Sequence, residues 1–182
     1  MVYTAFLRGI NVGGNAIVAM AAIKEAFVAL GLSDVRTYIN SGNVIFSTRA
    51  MDTRRLTARI EKALEERTGM AIKVLVMDHK SLTNVVDAIP RNWVDDKAMR
   101  CYVLLLWKEL DDRNILEKLP VAPGVDDVKY TPGAVIWHVD RRNLARSRMN
   151  RLVATPFYKQ ITARNANTMR KLKELTENGR KA

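Results

Sequence analysis

The N-terminal stretch FLRGINVGGNAIVAM places Arg8, Asn11, Gly13 and Gly14 directly after an apolar run. Arginine forms bidentate pairs with carboxylates and phosphates, and asparagine offers both donor and acceptor. Glycine admits the backbone angles and close approaches such a loop needs, so the stretch is either a tight strand-to-helix turn or a seat for an anion. It has neither the Lys-Ser/Thr of a P-loop nor the G-x-G-x-x-G of a dinucleotide fold. A second polar stretch, Asn40-Ser41-Gly42-Asn43, consists of ordinary turn formers, with Ser41 and Asn43 as its candidate ligand groups. A third, TARNANTMRKLKEL at 162–175, reads as a helix with Thr162 as N-cap and Met169, Leu172 and Leu175 as its apolar stripe. On that helix Arg164, Asn165 and Thr168 share the inward face, near the end where an anion is favoured. They either bind a ligand or tie the helix to loop carbonyls, and a buried arginine needs a partner in both cases.

Other chemistries have less support. His79 and His138 are the two histidines, and neither has a second ligand at helical or hairpin spacing, so no metal site and no cofactor are expected. The single cysteine, Cys101, lies inside MRCYVLLLW and reads as a buried strand thiol outside any Cys-His or Ser-His-Asp arrangement. It also gives no basis for a disulfide framework, which fits a reducing cytoplasm. The acid pairs Asp95-Asp96, Asp111-Asp112 and Asp126-Asp127 fall at element boundaries, where they read as caps and solvated turns. No nucleophile, base or metal set assembles into a reaction.

The net charge of +11 is unevenly placed: residues 141–182 carry 12 basic side chains and two acidic ones. Within RRNLARSRMNR, Arg141, Arg142, Arg146, Arg148 and Arg151 stand without a single acid. Such a cluster favours acidic partners, or is a solvated basic tail; a nucleic-acid-binding module is the alternative to a small anionic ligand, and a partner-binding domain with no ligand is the third reading. On a helical wheel, however, Arg141 and Arg148 fall among Leu144, Ala145 and Leu152. No strand carries the aromatic run of an RNA-recognition sheet either. The longest apolar runs, AIVAMAAI and YVLLLW, are far shorter than the roughly 20 residues of a membrane span. No signal peptide is evident, and the chain reads as soluble and cytoplasmic.

The elements that must position these residues follow from periodicity. Residues 2–8 (VYTAFLR) read as a strand, and Met20, Ile23, Phe27 and Leu30 recur at helical spacing before Gly31. DVRTYINSGNVIFST reads as a hairpin; Asp52 caps a helix with the stripe Leu56, Ile60 and Leu64, closed by Gly69; IKVLVM forms a further strand. The order is α+β, a ferredoxin-like βαββαβ half over residues 1–80. A short helix and linker occupy 81–97. Residues 98–182 then repeat the order as a second, incomplete βαββα half that ends in basic C-terminal helices, including one from about residue 141.

Three of these segments carry a family resemblance: FLRGINVGG followed by Met20, VRTYINSGNVIF at 35–46, and TARNANT at 162–168. On them the chain resembles a bacterial family known as domain of unknown function 1697. The resemblance implies an α+β fold with a ferredoxin-like half and brings no reaction with it. Ala19 stands where the family usually has proline, and Ala166 where it usually has an aromatic residue. The shared segments are polar and fall at element ends, which core packing alone would not favour. They imply one cleft gathering Arg8, Asn11, Gly13, Gly14, Ser41, Asn43, Arg164, Asn165 and Thr168.

Overall fold

The computed structural model describes residues 1–11 and 17–178; Gly13 and Gly14 lie outside them. The chain divides into two compact units, one formed by residues 1–82 together with the chain from Leu172 onward, the other by Thr83–Lys171.

In the first unit β1 (Val2–Leu7), α1 (Met20–Ala29), β2 (Ser33–Tyr38), β3 (Asn43–Ser47), α2 (Thr53–Thr68) and β4 (Val74–Asp78) follow in order. The sheet order is β2-β3-β1-β4, with every pairing antiparallel. This is the ferredoxin-like arrangement read from the sequence. β1 is central, and its pleat sends Tyr3, Ala5 and Leu7 to the face that Leu56, Ile60 and Leu64 of α2 and Ile23 and Phe27 of α1 cover. Phe46 joins the layers, stacked on Tyr3 at 5.7 Å and edge-on to Phe27 at 5.3 Å. α2 starts where Asp52 accepts the Arg55 N–H at 3.0 Å and stops at Gly69, whose φ of 70° lets its N–H return to the Glu65 carbonyl. α3 (His79–Asp87) follows β4. The last turns of the C-terminal helix also belong to this unit: Arg36 donates to the Leu175 carbonyl at 3.2 Å, and His79 Nδ1 lies 3.0 Å from the Thr176 hydroxyl.

The second unit holds β5 (Met99–Leu106), α4 (Ile115–Lys118), β6 (Asp126–Thr131), β7 (Ala134–Asp140) and β8 (Ile161–Asn165), followed by α5 (Ala166–Asn178). Its sheet order, β6-β7-β5-β8, reproduces the first topologically. The expectation of an incomplete second half is corrected here, because Ile161–Asn165 is a strand paired along β5 with Val103 opposite Arg164. The helix begins at Ala166, and its cap is Asn165, whose Oδ1 accepts the Thr168 N–H at 2.7 Å, rather than Thr162.

The helix expected from residue 141 is also absent. Arg141–Asn143, Met149–Ala154 and Tyr158–Gln160 are separate 3-10 turns. Apolar residues in this segment recur too sparsely to bury one helical stripe, and Leu152 is the only residue of these turns that is fully buried. Among the described residues no helix is long and apolar enough to cross a membrane.

Candidate functional site

The first two polar motifs meet in one corner of the first unit. The Leu7 N–H bonds the Gly42 carbonyl at 2.8 Å, and Asn11 Nδ2 donates to the Asn40 carbonyl at 2.9 Å. Asn11 also donates to the Val18 carbonyl at 3.0 Å and accepts the Val18 N–H at 2.8 Å, so its amide ties Val18 to the turn at Asn40. Its φ of 53° lies in the left-handed region, which asparagine tolerates better than most residues. Asn43 is fully buried and donates to the Tyr38 carbonyl and to Ser41 Oγ, both at 3.1 Å. Arg8 is half-buried at the end of β1, where its N–H bonds the Lys73 carbonyl at 2.8 Å.

These bonds give the motif a structural task. Replacing Asn11 with alanine strands a carbonyl pair and one N–H and removes a side chain suited to positive φ. We expect it to lower unfolding free energy by about 2–3 kcal/mol, read from urea melts.

The third motif belongs to the second unit. Arg164 is 7% exposed and donates to Thr162 Oγ1 at 3.1 Å and to the Ala163 carbonyl at 2.8 Å. Burial pushes its guanidinium down to about 10. Asn165 is engaged as the helix cap, and Thr168 is buried on the first turn of α5. The nine motif residues are thus distributed over two units, with Gly13 and Gly14 outside the described chain.

The five arginines of 141–151 separate into two classes. Arg141 donates to the Asp96 carbonyl and lies 3.6 Å from Asp95 Oδ1. Arg142 grips Asp140 with Nη2 at 2.6 Å, holding that carboxyl down at about 2. Arg146, Arg148 and Arg151 are exposed and have no side-chain partner among the described residues.

Two arrangements were not legible in the sequence. The first is a row across β5, β7 and β6 in which Cys101 pairs with His138 and His138 with Asp127. His138 Nδ1 lies 3.4 Å from Asp127 Oδ2, and its ring stacks on Trp93 at 4.9 Å. The row brings a thiol, an imidazole and a carboxylate together, yet Cys101 is fully buried and burial pushes its thiol up to about 12. A thiol so placed stays protonated and is no nucleophile. Only strand register could have revealed the row.

The second arrangement is a cleft of about 640 Å³ on the opposite face of the same sheet. Its floor is Arg100, Tyr102 and Leu104 of β5 with Ala163 of β8; its roof is the segment 144–158. Arg100 Nη1 donates to the Tyr102 hydroxyl at 2.6 Å, while its Nε is shielded from solvent and has no acceptor among the described residues. Asp126 fastens the roof: its carboxylate accepts from Ser147 Oγ at 2.5 Å, the Arg148 N–H at 3.1 Å and the Ala122 N–H at 2.9 Å. Burial alone would raise its pKa, but these three donors outweigh burial and hold it below the usual aspartate value.

Among curated proteins, none matches this sequence. Among solved structures, the chain is similar to the conserved bacterial protein SP0830 from Streptococcus pneumoniae, at 26% identity and a TM-score of 0.81 over 96% of this chain and 98% of that one. The likeness extends the two-half α+β architecture to that protein. The family model described as protein of unknown function (DUF1697) matches residues 1–137, and the chain belongs to that family.

Proposed function

We propose that this protein binds a small anionic molecule, and that the cleft on the second unit's sheet is where it binds. The observation that supports this reading is Arg100, whose guanidinium lines the cleft floor and whose Nε has no acceptor among the described residues. A carboxylate or phosphate entering the cleft would pair with this guanidinium in a charge-assisted bond stronger than a neutral pair. The polar motifs then serve as scaffold, since Asn11, Asn43 and Asn165 already hold turns and a helix cap.

Thermal melts with inorganic phosphate, nucleoside monophosphates and short carboxylates test the reading. A ligand at about 100 times its Kd adds roughly 2.7 kcal/mol of stability, and Arg100→Gln should abolish that gain. An unresponsive wild type, or an equal response in Arg100→Gln, overturns it.

Nucleic-acid binding is the second reading, favoured by Arg146, Arg148 and Arg151, which are exposed and have no side-chain partner among the described residues. Three phosphate contacts on duplex DNA would give a log–log salt slope of about −2.7. Fluorescence anisotropy with duplex DNA and single-stranded RNA across salt concentrations measures it. The triple glutamine variant should lose the binding, and absence of binding by the wild type at low salt eliminates this reading.

A further inference from the structure

The two halves share a strand order but differ in what covers the equivalent sheet face. In the first unit α2 lays Leu56, Ile60 and Leu64 onto the sheet, all fully buried. The chain in the same topological place in the second unit, between β7 and β8, is broken into 3-10 turns from which only Leu152 is fully buried. Leu144 and Val153 line the same cleft and remain 36% and 61% exposed. Ala163, opposite Leu104 in the β5–β8 register, is also exposed. Most of this face is sealed by the cluster of Leu104, Trp137, Leu152 and Ile161, but its end at Arg100, Tyr102 and Ala163 opens into a cleft large enough for a small molecule.

Among the residues lining the cleft, Arg100 is the charged one. Arg100 sits at the floor, and Arg146, Arg148 and Arg151 alternate in sequence with the roof residues Ser147, Met149, Asn150 and Leu152. The Asp126 carboxylate, which reaches the roof, is engaged by three donors. From this juxtaposition we infer, resting on the reading of the cleft as an anion site, that its ligand is an amphipathic anion: one carboxylate or phosphate head on an apolar body. The head meets Arg100 and the Tyr102 hydroxyl. The body lies against Ala163, Leu144 and Val153, the exposed apolar side chains of the cleft. A fully polar anion such as inorganic phosphate would engage Arg100 and leave that surface wet, so the apolar body carries most of the discrimination.

Isothermal titration of the full chain with straight-chain carboxylates from butyrate to decanoate, all below micelle-forming concentration, tests the inference. Octanol and inorganic phosphate serve as comparisons. The expected result is an affinity that rises about 3- to 4-fold per methylene until the cleft is filled. Arg100→Met should weaken octanoate at least tenfold while leaving octanol unchanged. Ala163→Trp should flatten the chain-length series and leave phosphate binding in place. If phosphate and butyrate bind as tightly as octanoate, the ligand class is wrong and the anion site survives. If octanol binds as well as octanoate, or no anion binds, the anion site itself falls. The wild-type series decides between these outcomes even if a variant fails to fold.

Discussion

Replacing Asp126 with alanine is expected to destabilise the second unit by about 3–5 kcal/mol, the largest loss we predict for a single polar side chain here. The carboxylate is 6% exposed and accepts from one hydroxyl and two backbone N–H groups. Alanine leaves the Ala122 and Arg148 N–H groups without their acceptor and detaches the roof at Ser147. In a chain of this size the change should lower Tm by about 10 °C. The effect has a defined pH dependence. Because the folded-state pKa is depressed below 3.8, the carboxylate's contribution is fully present well above that value. It is lost as pH falls through the folded pKa. The stability gap between wild type and Asp126→Asn should therefore be wide at pH 7 and close as pH drops below about 4. A gap of the same size at both pH values would mean that the carboxylate's charge is not what its donors recognise.

Gly42→Ala should cost about 3 kcal/mol or more, for two reasons that a matched control separates. Gly42 has a φ of 78°, and a Cβ there would stand 2.8 Å from both Leu7 Cβ and Ile10 Cδ1. Both neighbours are buried and the Gly42 carbonyl is held by the Leu7 N–H, so neither side can yield. Gly31 has nearly the same φ, 75°, with nothing within 4 Å of the added atom. Gly31→Ala should then show the left-handed backbone penalty alone, about 1–2 kcal/mol. The excess at Gly42 measures the overpacking. Equal losses in urea melts of the two variants would show that the corner formed by the first two motifs relaxes freely.

The sequence was readable where a local rule and the tertiary environment agree. Asp52 as a cap, Gly69 as a stop and the stripe Leu56, Ile60 and Leu64 appear in the fold as they read in the chain. The failure at 161–165 has a local cause: Thr162 and Asn165 are both good cap residues, three apart. The apolar stripe of α5 extends smoothly back onto the wrong one. What decided the matter was pairing with β5, which no local pattern records. The cleft was hidden for a related reason. It arises from a helix that does not form, and its floor residues Arg100 and Tyr102 sit in a segment whose dominant signal is a buried strand. The polar motifs, by contrast, announced themselves through composition. Asn11, Ser41 and Asn43 do converge within the first unit, and their hydrogen bonds hold its turns.

The insertion of residues 83–171 within the first unit sets an order of events during synthesis. A ribosome finishes all four strands of the first sheet by Asp78, yet His79 meets its partner Thr176 only after 97 further residues. At about 5–20 residues per second that interval lasts roughly 5–20 s. The second unit, being a continuous stretch, has its whole sequence before the first receives its last helical turns. The nascent first sheet therefore waits, without the closing turns around Leu175 and Thr176, for as long as the chain needs to build another domain. A premature stop after Lys171 would leave the second unit's sequence whole and the first permanently in that waiting state.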